Sequence, residues 1–136
     1  MHVIAPITFG AIVYVAFRSS TLLVFAWLDA VHLLPVAADL RAAAAVVRRG
    51  IPAWGLFSVP DGLWVYATTA AMRLVWRNDP DAGAAIAWSA SAFVLATAAE
   101  LGQALHVIPG VFDPNDVTAY VVATALAFHC TRRSHE

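Results

Sequence analysis

The sequence has no lysine, a single cysteine and few charged residues of either sign. Only 12% of its 136 residues are charged and 61% are hydrophobic, whereas a soluble domain has roughly 25% and 45–50%. A net charge of -1 excludes the clustered basic surface that nucleic-acid binding needs. The lone Cys130 excludes an internal disulfide framework and a cysteine-based metal site. These absences predict one all-α domain, residues 1–136, that is a polytopic transmembrane helical bundle.

The apolar segments predict about five helices, because a helix needs roughly 20 residues to cross about 30 Å of hydrocarbon. A four-span variant stays open, since the short first segment or the end of the second could lie in the interface. The segment without any charged side chain, 82–99, is the strongest span signal, and its small residues would let a neighbouring helix approach closely. The predicted helices cover 4–17, 21–47, 58–76, 82–99 and 114–130.

Local signals define how these helices begin and bend. Pro35 predicts a kink within the second helix. Ser58 is predicted as the N-cap of the third, with Asp61 as its capping partner and Pro60 in the first turn. Asp113 is predicted as the N-cap of the last helix, with Pro114 at its first position.

Five alternating helices would place the polar residues on two faces. The loops after the second and fourth helices define one face, which would receive three arginines together with Asp61, Glu100, Gln103, Asp113 and Asp116. The other face would receive five arginines: Arg18, Arg73, Arg77, Arg132 and Arg133. The positive-inside rule then predicts that the second face and the C-terminus are cytoplasmic.

The acidic residues of the first face are the main candidate site. Asp61, Asp113 and Asp116 are explained equally well as helix caps. Glu100 has no such role, since it lies near the C-terminal end of a helix, where the dipole disfavours an anion. We expect it to be buried with a partner, either Gln103 or an arginine from the end of the second helix. Ionisable residues within a membrane are functional candidates by default.

Asp29 and His32 form a secondary intramembrane pair, because residues three apart share one helical face. They could relay a proton or simply hold the second helix against the bundle. The sequence has no HExxH, no P-loop, no Gly-x-Gly-x-x-Gly and no Gly-x-Ser-x-Gly. We therefore expect no metal and no cofactor, and catalytic residues stay unknown.

The pattern Glu100-x-x-Gln103, followed by Asp113 and Asp116 at the start of the last helix, resembles the core signature of VanZ-like membrane proteins. The loop between them has no arginine, and Tyr120 and Ala123 occupy positions where that family has Asn and Gly. The resemblance implies a small multi-pass protein of the bacterial plasma membrane. That family is associated with glycopeptide (teicoplanin) resistance, and its molecular activity is obscure.

Three functions remain open at this stage. The first is a VanZ-like protein whose outer-face polar cluster binds a lipid headgroup or a cell-envelope component. The second is an intramembrane enzyme that uses Glu100 and an aspartate on a lipid-linked substrate. The third is a non-catalytic subunit that docks on a membrane-protein partner. All three name membrane lipid as the surroundings, and none involves nucleic acid.

Overall fold

A computed structural model describes residues 1–132, and the regular structure of this part of the chain is entirely helical. The all-α prediction is confirmed, but six α-helices replace the five expected in it, because the second predicted helix is divided. The helices are α1 (Ile4–Phe17), α2 (Leu23–Ala30), α3 (Leu34–Val47), α4 (Ala53–Val75), α5 (Ala82–Ala104) and α6 (Pro114–Arg132), with a single 3₁₀ turn over Arg48–Gly50.

The break between α2 and α3 lies at His32, which has a left-handed φ of 59°. The backbone N–H of His32 donates to Asp29 O, and that of Leu33 donates to Leu28 O. These two bonds form a Schellman motif, which usually has glycine at the left-handed position. Pro35 lies in the first turn of α3 and is not a kink in a longer helix. The absence of glycine at residue 32 explains why the sequence did not indicate this end.

α4 begins at Ala53, with Pro52 as its N-cap residue, so the predicted capping role of Ser58 and Asp61 is wrong. Ser58 is buried within the helix, and Pro60 lies in its interior. Proline is accepted at either place for different reasons: at a helix start its missing N–H is not needed, and inside a helix neighbours must compensate for the lost bond. The pattern around Pro60 resembles a helix start, but the helix in fact begins after Pro52.

α4 is the central helix and packs against α1, α5 and α6. The core is formed by Val65, Ala92, Tyr120 and Ala123. α4 lies close to α6 at Gly62, where an added Cβ would lie 3.1 Å from the Cβ of Ala119. Small residues at helix crossings allow such contact between backbones.

α2 and α3 leave the bundle at the end of α1 and return to the same end. Arg41 of α3 donates to the backbone carbonyls of Val15 and Arg18, at 2.9 and 2.7 Å. Its guanidinium also lies 5.1 Å from the centre of the Phe25 ring of α2. α1 and α4 are antiparallel neighbours. The α2–α3 hairpin lies on the outside of this pair. The strict alternation of five helices is wrong.

Among the described residues one helix, α5, is long and apolar enough to cross a membrane, with a mean hydropathy of 1.5 over its best window. The helix predicted over 82–99 is present and continues to Ala104, so Glu100 and Gln103 belong to the helix itself. α1 is also apolar but is shorter, at 14 residues. Large apolar side chains are exposed on all six helices.

Candidate functional site: the acidic end of the bundle

The bundle has an acidic end, where α1 and α5 finish and α4 and α6 begin. Its charged residues are Arg18, Asp61, Glu100, Asp113 and Asp116. The opposite end, where α4 and α6 finish, is the basic end, with Arg73, Arg77 and Arg132. The acidic end and the basic end denote these two sets of residues.

Arg18 is the cation of the acidic end. Its Nη2 donates to Asp61 Oδ2 at 2.9 Å and to the carbonyl of Phe57 at 3.2 Å. The guanidinium lies over the rings of Tyr14 and Phe57, at 5.4 and 5.1 Å from their centres. Arginine favours such a position because its planar group can stack on aromatic rings while it binds a carboxylate. Arg18 is thus fixed from three sides.

This ion pair corrects the assignment of faces. Arg18 was expected on the face opposite Asp61, yet the two side chains are bonded. Moving Arg18 leaves four arginines for each end in place of three and five, so the positive-inside rule no longer favours a cytoplasmic C-terminus. Arg133, one of the eight, lies outside the described residues together with the C-terminus.

Glu100 is buried, with 5% of its surface exposed, as the sequence led us to expect. Its partner is different from those expected: Oε2 accepts the backbone N–H of Asp113 at 3.2 Å. The side chain of Gln103 lies against Gly110, and it makes no hydrogen bond within the described part of the chain. Gly110 has a φ of +142°, a conformation suited to glycine. This turn brings Asp113 to Glu100.

Asp113 caps α6, as predicted. Its Oδ1 accepts the backbone N–H and the side-chain amide of Asn115, both at 2.8 Å. Asp116 differs, because its Oδ1 is buried and has no hydrogen-bond partner among the described residues. An unpaired buried oxygen is costly. Capping therefore explains Asp113 and leaves Asp116 unexplained.

The carboxylates of Glu100 and Asp116 lie within electrostatic range of Asp61. The Arg18–Asp61 pair therefore has two further carboxylates in its neighbourhood, those of Glu100 and Asp116. Asp61 and Arg18 balance each other, and the other two acids have no cation bonded to them within residues 1–132. Such a site suits a ligand that carries a positive charge and N–H donors.

Tyr120 is a member of this site that sequence reasoning did not select. It is buried, and it lies within electrostatic range of the same three acids and of Arg18. The signal was its position four residues after Asp116, which puts both on one face of a helix. Its ring joins the acidic end to the hydrophobic core.

The structure does not bring Asp29 and His32 together as a site. α2 ends at Ala30, and both residues are exposed. The bond between them joins only their backbones, His32 N–H to Asp29 O at 2.9 Å. Within the described part of the chain, no group of three or more metal-binding side chains converges.

Comparison with protein-family models, with curated proteins and with solved structures gives no match to this chain. The VanZ-like resemblance therefore depends on the residue pattern at the acidic end alone. Membership of the VanZ-like family stays a prediction.

Proposed function

We propose that this chain is a multi-pass protein of the bacterial plasma membrane, and that its acidic end binds the amine of a lipid headgroup. The single observation that carries the proposal is the group of carboxylates there, since Glu100 and Asp116 lie near the Arg18–Asp61 pair and have no bonded cation of their own within residues 1–132. Glu100 is also buried. The VanZ-like pattern includes Glu100, Gln103 and Asp116, and supports an envelope-related role.

The sides of the bundle support a bilayer as its surroundings. Exposed Trp64, Ile86, Val94, Leu95 and Val121 extend along α4, α5 and α6 between the two charged ends. Monomeric soluble proteins rarely expose continuous apolar surface on this scale. We assign α1, α4, α5 and α6 as the four spans. The α2–α3 hairpin, with helices of 8 and 14 residues, would enter one leaflet and return to the same side of the membrane.

The hairpin gives a direct test of this topology. In a Cys130→Ser background, Ser20→Cys and Gly50→Cys place a thiol before and after the hairpin, and Asn78→Cys places one in the α4–α5 turn. We expect a membrane-impermeant maleimide to label Ser20→Cys and Gly50→Cys from one side of the membrane and Asn78→Cys from the other. Labelling of Ser20→Cys and Gly50→Cys from opposite sides would restore the five-span arrangement and refute the hairpin.

Burial makes the unbalanced charge of the acidic end energetically important. A buried charge is strongly unfavourable unless it is paired or hydrogen-bonded. Glu100 receives one backbone N–H, and the buried oxygen of Asp116 receives none in the described chain. A bound cation would supply the missing partner for both.

A primary amine meets this need better than other lipid groups. It carries a positive charge and three N–H donors, so it can bond to two or three carboxylate oxygens at once. The trimethylammonium of a choline headgroup carries the charge without donors. A glycerol headgroup has donors without a positive charge. The site therefore predicts the order ethanolamine, then choline, then glycerol.

The test reconstitutes the full chain in nanodiscs that contain phosphatidylethanolamine and phosphatidylcholine in equal amounts. Native mass spectrometry then measures which lipid stays bound. We expect phosphatidylethanolamine to be enriched, and Asp116→Asn to reduce that enrichment about tenfold, since hydrogen bonds to charged groups are the strong ones. Glu100→Gln should have the same direction of effect.

Asp39→Asn is the matched control. Asp39 is exposed on α3, so this substitution removes one negative charge away from the acidic end. It should leave the lipid preference unchanged. Equal retention of ethanolamine and choline lipids by the wild type would refute amine recognition. An equal effect of Asp39→Asn and Asp116→Asn would show that only overall charge matters.

A further inference from the structure

We propose a second site, at the basic end, that binds a phosphate group. A cavity of about 140 Å³ lies there between the end of α4, the start of α5 and the end of α6. Its lining includes Arg73, Trp76, Arg77, Ser89 and Thr131. The inference uses residues at the far end of the molecule from the amine site and does not depend on that site.

Arg73 is held in position from two sides. Its guanidinium lies 4.1 Å from the centre of the Phe128 ring. Its Nε donates to Thr131 Oγ1, whose own hydroxyl donates to Ala127 O. Arg73 thus uses Nε for the protein, and within residues 1–132 its two terminal nitrogens make no hydrogen bond and can face a ligand. A guanidinium fixed in this way loses little freedom on binding.

Arg77 completes the positive wall from the turn that follows α4, four residues after Arg73, and it is exposed. The charge of Arg132 acts on Arg73 from α6. In residues 1–132 none of these three guanidinium groups is in a salt bridge, since the ion pair found there is Arg18 with Asp61. Like charges that approach each other without an anion raise the energy of the fold, so an anion at this end would stabilise it.

The nearest loop carboxylates are occupied by local bonds. Asp79 accepts the backbone N–H of Asp81 at 2.8 Å, and Asp81 accepts that of Ala84 at 3.0 Å as the cap of α5. Both are therefore engaged in forming the α4–α5 turn. Within residues 1–132, the positive charge that faces the cavity is therefore not paired with an anion.

Phosphate fits the shape and chemistry of this site. Its oxygens can accept paired N–H donors from a fork-shaped guanidinium. The site lies at the end of the bundle, beside Trp76, whose ring is stacked on that of Trp88 with 5.7 Å between their centres. Tryptophans are enriched at this level in membrane proteins, where the bilayer meets water. A lipid phosphodiester and free inorganic phosphate share this chemistry, and the experiment separates them.

The test uses the full chain in two conditions. In nanodiscs that contain equal phosphatidylglycerol and phosphatidylcholine, mass spectrometry measures enrichment of the anionic lipid. In detergent, the melting temperature is compared in inorganic phosphate and in chloride at equal ionic strength. We expect Arg77→Gln to weaken binding about tenfold. Arg77 is exposed, so this variant should still fold even if Arg73→Gln does not.

Arg48→Gln and Arg49→Gln are the controls, because both residues are exposed near the acidic end. They should change neither measurement. Enrichment of phosphatidylglycerol would identify a lipid as the source of the phosphate. Stabilisation by inorganic phosphate without that enrichment would identify a soluble ligand. If neither occurs, or if Arg48→Gln has the effect of Arg77→Gln, the site is refuted.

Discussion

Arg18 and Asp61 form an ion pair of 2.9 Å that connects the residue ending α1 to the interior of α4. The same guanidinium donates to Phe57 O, in the turn before Pro60. Because Pro60 has no N–H, it breaks the hydrogen-bond ladder of α4 at this place. Arg18 therefore stabilises the contact between the two helices where α4 is weakest.

Arg18→Gln should lower the free energy of unfolding by about 1–3 kcal/mol. This lies between the values for exposed and for buried pairs, since 28% and 35% of the two side chains are exposed. The physical reason is that Asp61 would lose its bonded cation and the carbonyl of Phe57 would lose its donor. Thermal unfolding in detergent measures the change. Arg48→Gln, which removes an exposed arginine, should stay within about 0.5 kcal/mol of the wild type.

A double-mutant cycle with Asp61→Asn isolates the pair itself. Once Asp61 is neutral, Arg18→Gln should cost less than it does in the wild type. Simple additivity of the two changes would contradict a coupling between them.

Gly62→Ala tests the close approach of α4 and α6. The added methyl would lie 3.1 Å from Ala119 Cβ and 3.4 Å from Ala119 O, and backbone can give way only if the helices separate. Overpacking of this kind costs about 1–3 kcal/mol, so the melting temperature should fall. Gly50→Ala is the control, because nothing lies within 4 Å of its added methyl. A Gly62→Ala protein as stable as Gly50→Ala would contradict this packing.

The sequence predicted the helical class, the bounds of α1 and the cap of α6 because each depends on local signals. Asp113 followed by Pro114 is such a signal, and the structure has it at the predicted place. The burial of Glu100 could also be predicted, since an acid after a long apolar run has few alternatives. These parts needed no knowledge of other helices.

The parts that could not be predicted depend on residues distant in sequence. Arg18 and Asp61 are 43 residues apart, and only the antiparallel packing of α1 and α4 brings them together. The prediction of five helices failed at His32, where a histidine takes the position usually held by glycine. Without that helix end, the alternation of faces placed Arg18 at the wrong end.

His32→Gly should stabilise the protein by about 0.5–1 kcal/mol. A residue with a Cβ in the left-handed region costs roughly 1–2 kcal/mol, and the greater freedom of glycine in the unfolded chain offsets part of this. His32 is exposed, so its ring contributes little packing. Ala43→Gly, at an exposed position within α3, should instead destabilise by about 1 kcal/mol. If His32→Gly does not stabilise the protein, the imidazole of His32 has a role of its own.

Glu100→Gln should raise the free energy of unfolding in detergent, by about 1 kcal/mol. The wild-type carboxylate is 5% exposed and lies near the C-terminal end of α5, where the dipole disfavours an anion. Its negative charge and that of Asp61 also repel each other. Glutamine keeps the shape and an oxygen that can accept the Asp113 N–H, so the change removes only the charge. Chemical unfolding followed by tryptophan fluorescence measures it.

Two further variants separate the charge of Glu100 from its hydrogen bond. Glu100→Ala leaves the Asp113 N–H without an acceptor and should destabilise by about 1–3 kcal/mol. Asp39→Asn, which removes an exposed charge, should change stability little. If Glu100→Gln destabilises as much as Glu100→Ala, the charge is needed for folding. A rise in stability together with a loss of amine-lipid binding would instead show a charge kept for its ligand, because functional residues commonly lower stability.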